Sequence, residues 1–540
     1  MNFLFSCFSR QREQEPWKEI EDEARNIEEL PSWHSSEENF LMMEAFEWYV
    51  PHDGRHWQRL QLALRDLKEI GIDNLLLPPG CKAMNPSGNG YDIYDLFDLG
   101  EFDQKGSVAT KWGTKEDLIG LAKMAQVLDM GILWDAVLNH KAGADHSEKC
   151  LAVTVEPEDR NIDLTKPQEI NAWVGFDFPG RGEKYSRMKY HWQHFNAIDY
   201  NSLDKKKAIY KIFAPGKDWA KDVSTENGNY DYLMFANLDH SNPEVRQDIL
   251  DWVEWIGNQL PLSGMRLDAV KHYSSGFQKT LVDRIRQTVG KDWFIVSEFW
   301  SGKIQELKKY MEQVDYKVHL FDAPLCNRLS DISQTRGADL RLIFDKTLVD
   351  YKPEHAVTFV MNHDTQPSQA LEAPVAPFFK PIAYALILLR KQGQPCIFYG
   401  DLYGITAGGK RSPPEPPSCN GRLPALTLAR KLYAYGEQRD YFSRKNCIGF
   451  VRYGNARHPW GMACVLSNGP RTKKKMFVGK KHAKEKWTDV LELYPTASHV
   501  IQTHVTIDSK GYGVFPVSGM SVSVWVNAKA AGRDRFEKHL

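Results

Sequence analysis

Four short segments carry side chains that could do acid–base or nucleophilic chemistry. The first, "GMRLDAVKH", places Arg266 two residues before Asp268, with apolar neighbours. On a β-strand, residues two apart point to the same face, so the guanidinium and the carboxylate should meet. A permanent cation favours the ionised form of a nearby carboxylate, which suits a nucleophile or an electrostatic stabiliser better than a proton donor. Taken alone, the segment is equally compatible with a structural Arg–Asp pair at a strand end.

The other three segments place polar side chains directly after apolar runs. They are "DAVLNH", "VSEFW" and "MNHD", which contain His140, Glu298, His363 and Asp364. An Asx turn or a solvated strand end would explain each of them alone. Four such segments in order are hard to obtain by chance, and the residues near their strand ends include the carboxylates Asp268, Glu298 and Asp364, from three different strands. Carboxylates in different surroundings can divide the work, one staying ionised while another carries a proton.

Apolar strand-like runs alternate with amphipathic helical runs between residues 38 and 440. Parallel strands need crossover connections, and eight strand–helix repeats predict an α/β fold built on a (β/α)8 TIM barrel. Reacting groups in such a barrel project from the carboxyl ends of the strands, where all four segments fall. We therefore expect one site that gathers them. The predicted strands are 40–46, 72–77, 132–137, 265–270, 293–299, 317–321, 355–361 and 395–400.

Three stretches fall outside this repeat, and the barrel is left with residues 38–140 and 231–440. Residues 1–37 are acidic and polar and are predicted to be an N-terminal extension. Residues 141–230 are too long for a structureless loop, which predicts a small β-rich domain inserted after the third strand. Residues 441–540 carry short strand-like runs between turn residues, which predicts a C-terminal antiparallel β-sandwich.

The composition argues against several classes of partner. The 540 residues include 69 basic and 70 acidic side chains, so bulk charge does not favour a nucleic acid or a membrane surface. No apolar run is long enough to span a membrane, and the eight cysteines form no CxxC motif. The first residues show no signal-peptide pattern, so we expect a cytoplasmic protein. We also expect a monomer. Cys7 is a candidate for palmitoylation, with a free cysteine in a disordered tail as the favoured alternative.

Longer segments resemble a known family. "GYDIYDLFDLGEFDQKG", "FPGRGEKYS", "NGNYDYLMFANLD", "FYGDLYG" and "YAYGEQRDYF" are similar to segments of the α-amylases, which are retaining α-glycoside hydrolases. The resemblance covers about residues 38–530. It is closest to the liquefying type known from bacteria and to the intracellular fungal relatives of that type. It implies an α-glucan or maltooligosaccharide substrate.

The resemblance also implies roles for individual residues. Asp268 matches the nucleophile, Glu298 the acid/base, and Asp364 the third carboxylate, which binds sugar hydroxyls. These roles agree with the chemistry of a retaining glycosidase, which needs a nucleophile and a protonated acid. The resemblance implies substrate-binding roles for Tyr91, His140, Arg266, Lys271, His272 and His363.

A structural calcium ion is common in this family, and oxygen ligands suit it. The matching positions here are Asn139, Asp231, Asn237 and the carbonyl of His272. Three residues stand where bacterial relatives carry acids, namely Asn196, Ala220 and Asn237. With so few carboxylates we expect one weakened calcium site at most.

Several functions remain open on the sequence alone. The leading hypothesis is endo-hydrolysis of α-1,4-glucosidic bonds in starch, glycogen or maltooligosaccharides. A 4-α-glucanotransferase that makes maltooligosaccharides for fungal cell-wall α-glucan is the close alternative. Met361, which stands where the family has an acid, would influence the choice between water and sugar if the seventh strand extends that far. A non-catalytic glucan-binding protein is a second class. A metal-dependent hydrolase is a third, disfavoured by the lack of an HExxH-type spacing; its ligands would be Asp135, His140, His272 and His363.

Overall fold

Eight parallel strands close into a barrel, as predicted. The computed structural model describes residues 39–408, 413–491 and 504–538, so the predicted extension 1–37 and Cys7 lie outside the described residues. Each strand pairs with its neighbours in the chain, and the last strand pairs with the first through Met42 and Cys396. The strands are β1 (Met42–Glu44), β2 (Asn74–Leu76), β3 (Gly131–Ala136), β4 (Gly264–Leu267), β5 (Phe294–Ser297), β6 (His319–Phe321), β7 (Ala356–Thr358) and β8 (Gln394–Phe398).

Helices connect successive strands. Their starts carry the expected signals, for example the capping box in which Thr114 accepts the N–H of Asp117 at 3.2 Å. None of the helices among the described residues is long and apolar enough to cross a membrane. The helices are α1 (His56–Glu69), α2 (Lys115–Val127), α3 (Pro243–Gln259), α4 (Ser275–Thr288), α5 (Ile304–Gln313), α6 (Ala323–Gln334), α7 (Leu348–Tyr351), α8 (Lys380–Leu389), α9 (Tyr399–Tyr403) and α10 (Leu423–Tyr433).

The alternation of side chains along the strands separates two cores. One apolar cluster includes Met42, Leu133 and Val296 and fills the barrel, while the neighbouring residues of the same strands belong to the larger cluster under the helices. Because the period is two, the next inward positions towards the carboxyl ends are polar. They are Glu44, Asp135 and Glu298. The interior of the barrel is therefore apolar in its lower part and ionisable at the end where the strands finish.

Two strands, β4 and β7, end three residues before their predicted last residue, the largest such differences in the barrel. β4 ends at Leu267, and Ala269 adopts a left-handed backbone conformation with φ of +50°. Asp268 therefore begins a turn instead of continuing the strand. β7 ends at Thr358, so the expectation that the strand extends to Met361 is wrong, and Met361 instead packs in a buried cluster with Phe398 and Ile405.

Two further β-rich regions are present. The sheet inserted after β3 has six strands, in the order His140–Lys141, Ala236–Leu238, Phe195–Asn201, Lys206–Ile212, His146–Thr154 and Gln168–Gly175. The C-terminal sheet has the order Gln438–Arg444, Cys447–Arg452, Met462–Ser467, Ser521–Asn527, Lys486–Asp489 and Val505–Thr506. A two-stranded sheet packs on it, and a short hairpin follows β2; their strands are Thr472–Phe477 with Tyr512–Val517, and Lys82–Ala83 with Ile93–Asp95. The domain boundaries stay predictions.

Asp322 follows β6 at the same end of the barrel as the four polar segments, but its contacts are structural. Its buried carboxylate accepts the backbone N–H groups of Leu325 and Leu348 at 3.0 Å each and of Val349 at 2.7 Å. Leu325 lies in the first turn of α6, and the other two residues begin α7. One side chain thus satisfies N–H groups that would be unpaired at two helix starts.

We expect Asp322→Ala to lower the free energy of unfolding by about 3 kcal/mol or more, because three buried N–H groups lose their acceptor. Asp339→Ala is the control. It removes a partly exposed cap that accepts the Arg341 N–H at 3.0 Å, and it should cost about 1 kcal/mol. Urea unfolding followed by circular dichroism measures both. Equal losses in the two variants would contradict the structural role of Asp322.

Candidate active site

Arg266 lies inside the barrel and binds two carboxylates. The strand register places it opposite Asp135 of β3. Its Nη1 lies 2.7 and 2.8 Å from the two carboxylate oxygens of Asp135, and 2.8 Å from Asp268 Oδ1. All three side chains are buried. A guanidinium stays charged at every physiological pH, so it compensates both carboxylates and fixes the orientation of Asp268. The expected contact between Arg266 and Asp268 therefore forms.

Glu298 follows β5 and approaches the same guanidinium at a longer distance. Its Oε2 lies 3.9 Å from Arg266 Nη2 and accepts the Ala269 N–H at 3.0 Å. Burial raises the pKa of Glu298. The charge of Arg266 opposes this effect, the carboxylates of Asp268 and Asp364 add to it, and the resulting pKa is about 8. Glu298 is therefore protonated at neutral pH and can donate a proton.

His363 connects Asp364 to the first barrel strand. Its Nδ1 lies 2.7 Å from Glu44 Oε1, and its Nε2 lies 3.2 Å from Asp364 Oδ2. Burial alone would lower the pKa of His363, but the charges of Asp364 and Glu44 outweigh it and raise that pKa to about 10. Burial works to raise the pKa of Asp364, but the imidazolium outweighs it and lowers that pKa. Asp364 is thus an anion held by a buried cation.

Flat rings form a layer beside these groups. Tyr91 stacks on His363, with centroids 4.9 Å apart and planes 15° apart, and Trp48 stacks on Tyr91 at 5.9 Å and 10°. The Tyr91 hydroxyl donates to Asp135 Oδ2 at 2.8 Å, and His140 Nε2 lies 2.8 Å from the Tyr91 carbonyl oxygen. Tyr91 is half-buried. The exposed part of such a ring offers an apolar face on which the C–H side of a sugar can pack.

Lys271 and His272 form a second group after β4. Lys271 Nζ donates to the Trp300 carbonyl and to Glu226 Oε2, both at 2.9 Å. His272 Nδ1 lies 3.0 Å from the Tyr230 carbonyl, and its ring packs edge-on against the Tyr230 ring at 4.3 Å. Burial and the charge of Lys271 lower the pKa of His272 to about 3, so this ring is neutral. The contacts tie both residues to loops rather than to the three carboxylates.

Three of the four predicted calcium ligands, Asn139, Asp231 and Asn237, meet in a buried hydrogen-bonded group. Asn139 Nδ2 donates to Asn237 Oδ1 at 3.1 Å, and Asn237 Nδ2 donates to the Asp231 carbonyl at 2.6 Å. Asp231 Oδ2 accepts the Asn196 amide at 2.7 Å and the Ala220 N–H at 2.6 Å. Asn196 and Asn237 therefore supply side-chain N–H donors, and Ala220 a backbone N–H, at positions where bound cations would need oxygen ligands.

This set of donors fits one cation rather than several. Asn139 Oδ1 is buried without a hydrogen-bond partner. Asp231 is a buried carboxylate, and within the described ranges it makes no ion pair with Lys, Arg or His. Asn139 Oδ1 and the Asp231 carboxylate could both coordinate a hard cation such as calcium. The carbonyl of His272, the fourth predicted ligand, is not part of the hydrogen bonds that join the described members of this group.

The four residues of the metal-hydrolase alternative do not converge. Asp135 binds Arg266. The three histidines have separate partners: His140 contacts the Tyr91 carbonyl, His272 the Tyr230 carbonyl, and His363 the Glu44 carboxylate. Across the part of the chain that the structure describes, the one group of three metal-type ligands with atoms within 4.8 Å of one another lies elsewhere, in the inserted sheet. The geometry therefore gives this alternative no support.

Two residues of the site, Glu44 and Trp48, were not assigned roles from the sequence, and Asp135 was considered only as a ligand in the metal-hydrolase alternative. Glu44 ends β1 and carries His363, Asp135 carries Arg266 and Tyr91, and Trp48 extends the aromatic layer. A signal for Glu44 was available, since it is the acid at the carboxyl end of a predicted strand. Trp48 follows the strand in a loop, where residue type alone says little about contacts.

Known proteins share this arrangement of sequence and fold. The family model described as the α-amylase catalytic domain matches residues 57–411. The chain is 43% identical over 490 residues to the α-amylase of Bacillus licheniformis, covering 90% of this chain and 93% of that protein. It is 40% identical over 497 residues to the cytoplasmic α-amylase of Escherichia coli (strain K12), covering 90% and 99%.

Among solved structures, the α-amylase of Geobacillus thermoleovorans in complex with acarbose superposes with a TM-score of 0.60 at 19% identity, covering 92% of this chain and 99% of that one. This likeness supports the fold. The match of the catalytic-domain model to most of the chain, together with relatives at 43% and 40% identity over nine tenths of it, shows that the chain belongs to the α-amylase family of glycoside hydrolases.

Proposed function

We propose that the protein is an α-amylase that cleaves internal α-1,4-glucosidic bonds in starch, glycogen or maltooligosaccharides with retention at the anomeric carbon. One observation carries the proposal: the buried guanidinium of Arg266 lies 2.8 Å from Asp268 but 3.9 Å from Glu298, which is beyond hydrogen-bond distance. The short contact holds the Asp268 carboxylate in place as a nucleophile. The longer contact leaves the Glu298 carboxyl protonated, as a general acid must be.

In the first step, Asp268 attacks the anomeric carbon and the bond to the glycosidic oxygen breaks. That oxygen takes the proton of Glu298, and the sugar is left covalently bound to Asp268. In the second step, Glu298 takes a proton from water, and the hydroxide oxygen displaces Asp268 from the same carbon. Two inversions give net retention. Asp364 accepts hydrogen bonds from sugar hydroxyls, and its fixed charge favours the cationic transition state.

Most of the binding residues act on the sugar at the cleavage site in this proposal. Tyr91 supplies the stacking surface, and His140 holds the Tyr91 backbone in place. His363 Nε2, which lies 3.2 Å from Asp364, shares its proton between that carboxylate and a hydroxyl of the bound sugar. Arg266 holds the nucleophile. Lys271 and His272 bind the leaving-group side, consistent with their place in a separate group after β4.

We expect Asp268→Asn and Glu298→Gln to lower kcat by more than about 10³-fold, because each removes a group that forms or breaks a bond. Release of reducing ends from soluble starch measures the loss. Asp204→Asn, an exposed change in the inserted sheet, is the matched control and should keep full activity. An activated fluorinated glucosyl reagent should label Asp268 in the parent. Label on another carboxylate, or an inverted product, would contradict the assignment.

The pH dependence follows from Glu298. This group donates its proton only below its pKa of about 8, so kcat/KM should fall about tenfold per pH unit above that value. Initial rates on maltoheptaose between pH 6 and about 10 measure this limb. A profile that stays flat through pH 9 would contradict the proposed acid. Products longer than maltoheptaose in the same assay would show that a second sugar, rather than water, resolves the covalent intermediate.

We further propose that the chain binds one calcium ion weakly, with Asn139 Oδ1 and Asp231 as the central ligands and Asn237 and the His272 carbonyl beside them. Such an ion would supply structure, joining the loop after β3 to the inserted sheet. A single carboxylate gives little charge to hold it, since calcium affinity rises with the number of charged ligands.

Restoring one acid tests this. We expect Asn237→Asp to raise calcium affinity at least tenfold and to make the thermal midpoint depend strongly on calcium, because a ligand that binds only the folded state stabilises it. EGTA should lower the midpoint of the parent by only a few degrees. Asn242→Asp, at the cap of α3, is the matched control. Scanning calorimetry with CaCl2 or EGTA measures all three. A parent as sensitive to EGTA as Asn237→Asp would contradict weak binding.

The proposed location is cytoplasmic. The E. coli relative at 40% identity carries that description, and the match covers 90% of this chain. Cell fractionation with an antibody against the protein would decide the point, and the monomeric state stays a prediction.

A further inference from the structure

A second group of chemically active side chains lies in the inserted sheet, outside the catalytic site. His146 and Glu148 stand two residues apart on the strand His146–Thr154, and His191 immediately precedes the short 3₁₀ turn Trp192–His194. One ligand atom from each of the three lies within 4.8 Å of those of the other two. Two imidazoles and a carboxylate from separate parts of the chain therefore share one point.

The carboxylate of Glu148 holds the group together. Its Oε1 lies 3.2 Å from His146 Nε2 and 2.7 Å from His191 Nδ1, and its Oε2 accepts the Trp192 N–H at 2.9 Å. Gly175 lies opposite His146, and a Cβ there would come within 2.3 Å of His146 Nε2. The glycine leaves room for the imidazole in this position.

A second carboxylate orients His146 from outside. His146 Nδ1 lies 3.2 Å from Asp177 Oδ2. A proton on Nδ1 satisfies this contact and leaves the lone pair of Nε2 facing Glu148 Oε1, which also carries lone pairs. A second proton on the imidazole, or a metal ion between Nε2 and Oε1, would join these two atoms. A carboxylate on the far nitrogen of a histidine is also the usual outer support of a metal ligand.

We propose that His146, Glu148 and His191 bind one divalent transition-metal ion of the zinc class. Two nitrogen ligands and one oxygen suit zinc, cobalt, nickel or copper, whereas calcium prefers oxygen alone. Zinc ligands at about 2.0–2.2 Å in a tetrahedron lie about 3.3–3.6 Å apart, so small side-chain rotations would complete the site. Both histidine side chains are about two-fifths exposed, at 43% and 40%, so solvent reaches the site and water can fill the fourth position.

The site would act as a clip. His146 and Glu148 belong to the sheet, whereas His191 belongs to the segment after the isolated bridge between Phe176 and Tyr190. A metal bound by all three residues ties that segment to the strand. Its contribution is to the stability of the inserted region, and no step of glucan hydrolysis depends on it.

Metal titration of the full-length protein tests the proposal. Protein freed of metal by dialysis against EDTA is titrated with ZnCl2 in a calorimeter and with CoCl2 in an absorption spectrometer. We expect one zinc per chain, visible absorption bands typical of tetrahedral cobalt, and a thermal midpoint raised by zinc. His146→Gln and His191→Gln should each lower zinc affinity at least tenfold, and Asp177→Asn about tenfold through the lost outer support.

His52→Gln, an exposed histidine outside the group, is the matched control and should bind zinc like the parent. The histidine variants should keep starch hydrolysis, which verifies their folding, because neither residue belongs to the proposed active site. The proposal is overturned if the double variant His146→Gln/His191→Gln retains the zinc stoichiometry and affinity of the parent. It is equally overturned if the parent shows no saturable zinc binding.

Discussion

The ion pair between Arg266 and the carboxylates around it is the constraint on which the site depends. A buried guanidinium without acceptors, or buried carboxylates without a cation, would cost several kcal/mol. Neither half of the arrangement is therefore stable without the other. The barrel makes the pairing possible, because strand register alone places Arg266 opposite Asp135. What varies is distance: Arg266 lies 2.8 Å from Asp268, the proposed nucleophile, but 3.9 Å from Glu298, the proposed acid, where burial outweighs its charge and keeps the pKa of the carboxyl high.

Buried carboxylates are paired with a buried cation at other strand ends of the barrel as well. His363 lies between Glu44 and Asp364, so a charged imidazole takes the place that a second arginine could have held. Tyr91 connects both halves, since it stacks on His363 and donates to Asp135. The site is thus one hydrogen-bonded and stacked unit. Around Asp231 the negative charge is balanced differently. The neighbouring side chains Asn196 and Asn237 are neutral amides at positions where acids are expected, so less positive charge is needed there.

Much of this could be predicted from the sequence, and the failures have physical causes. Eight apolar runs and their spacing indicated the barrel, and the positions of Asp268, Glu298 and Asp364 followed from the rule that chemistry sits at the carboxyl ends of strands. That rule does not separate Glu44, which supports the site, from Asp322, which caps two helices, because both are acids at such ends. The early end of β4 was not predictable, since the left-handed Ala269 is stabilised by a side chain from another strand. His146 and His191 share no local motif, and only the folded sheet brings them together.

The turn after β4 has a consequence for the stereochemistry of the reaction. The peptide N–H of Ala269, the residue next to Asp268, is hydrogen-bonded to Glu298. This hydrogen bond links Glu298, the proposed acid, to the backbone next to Asp268, the proposed nucleophile. Small motions of the barrel would therefore move Asp268 and Glu298 together instead of changing the distance between their carboxyl groups. The spacing of the two carboxyl groups, on which retention or inversion depends, would then rest partly on this main-chain contact and not only on the side chains that line the cleft.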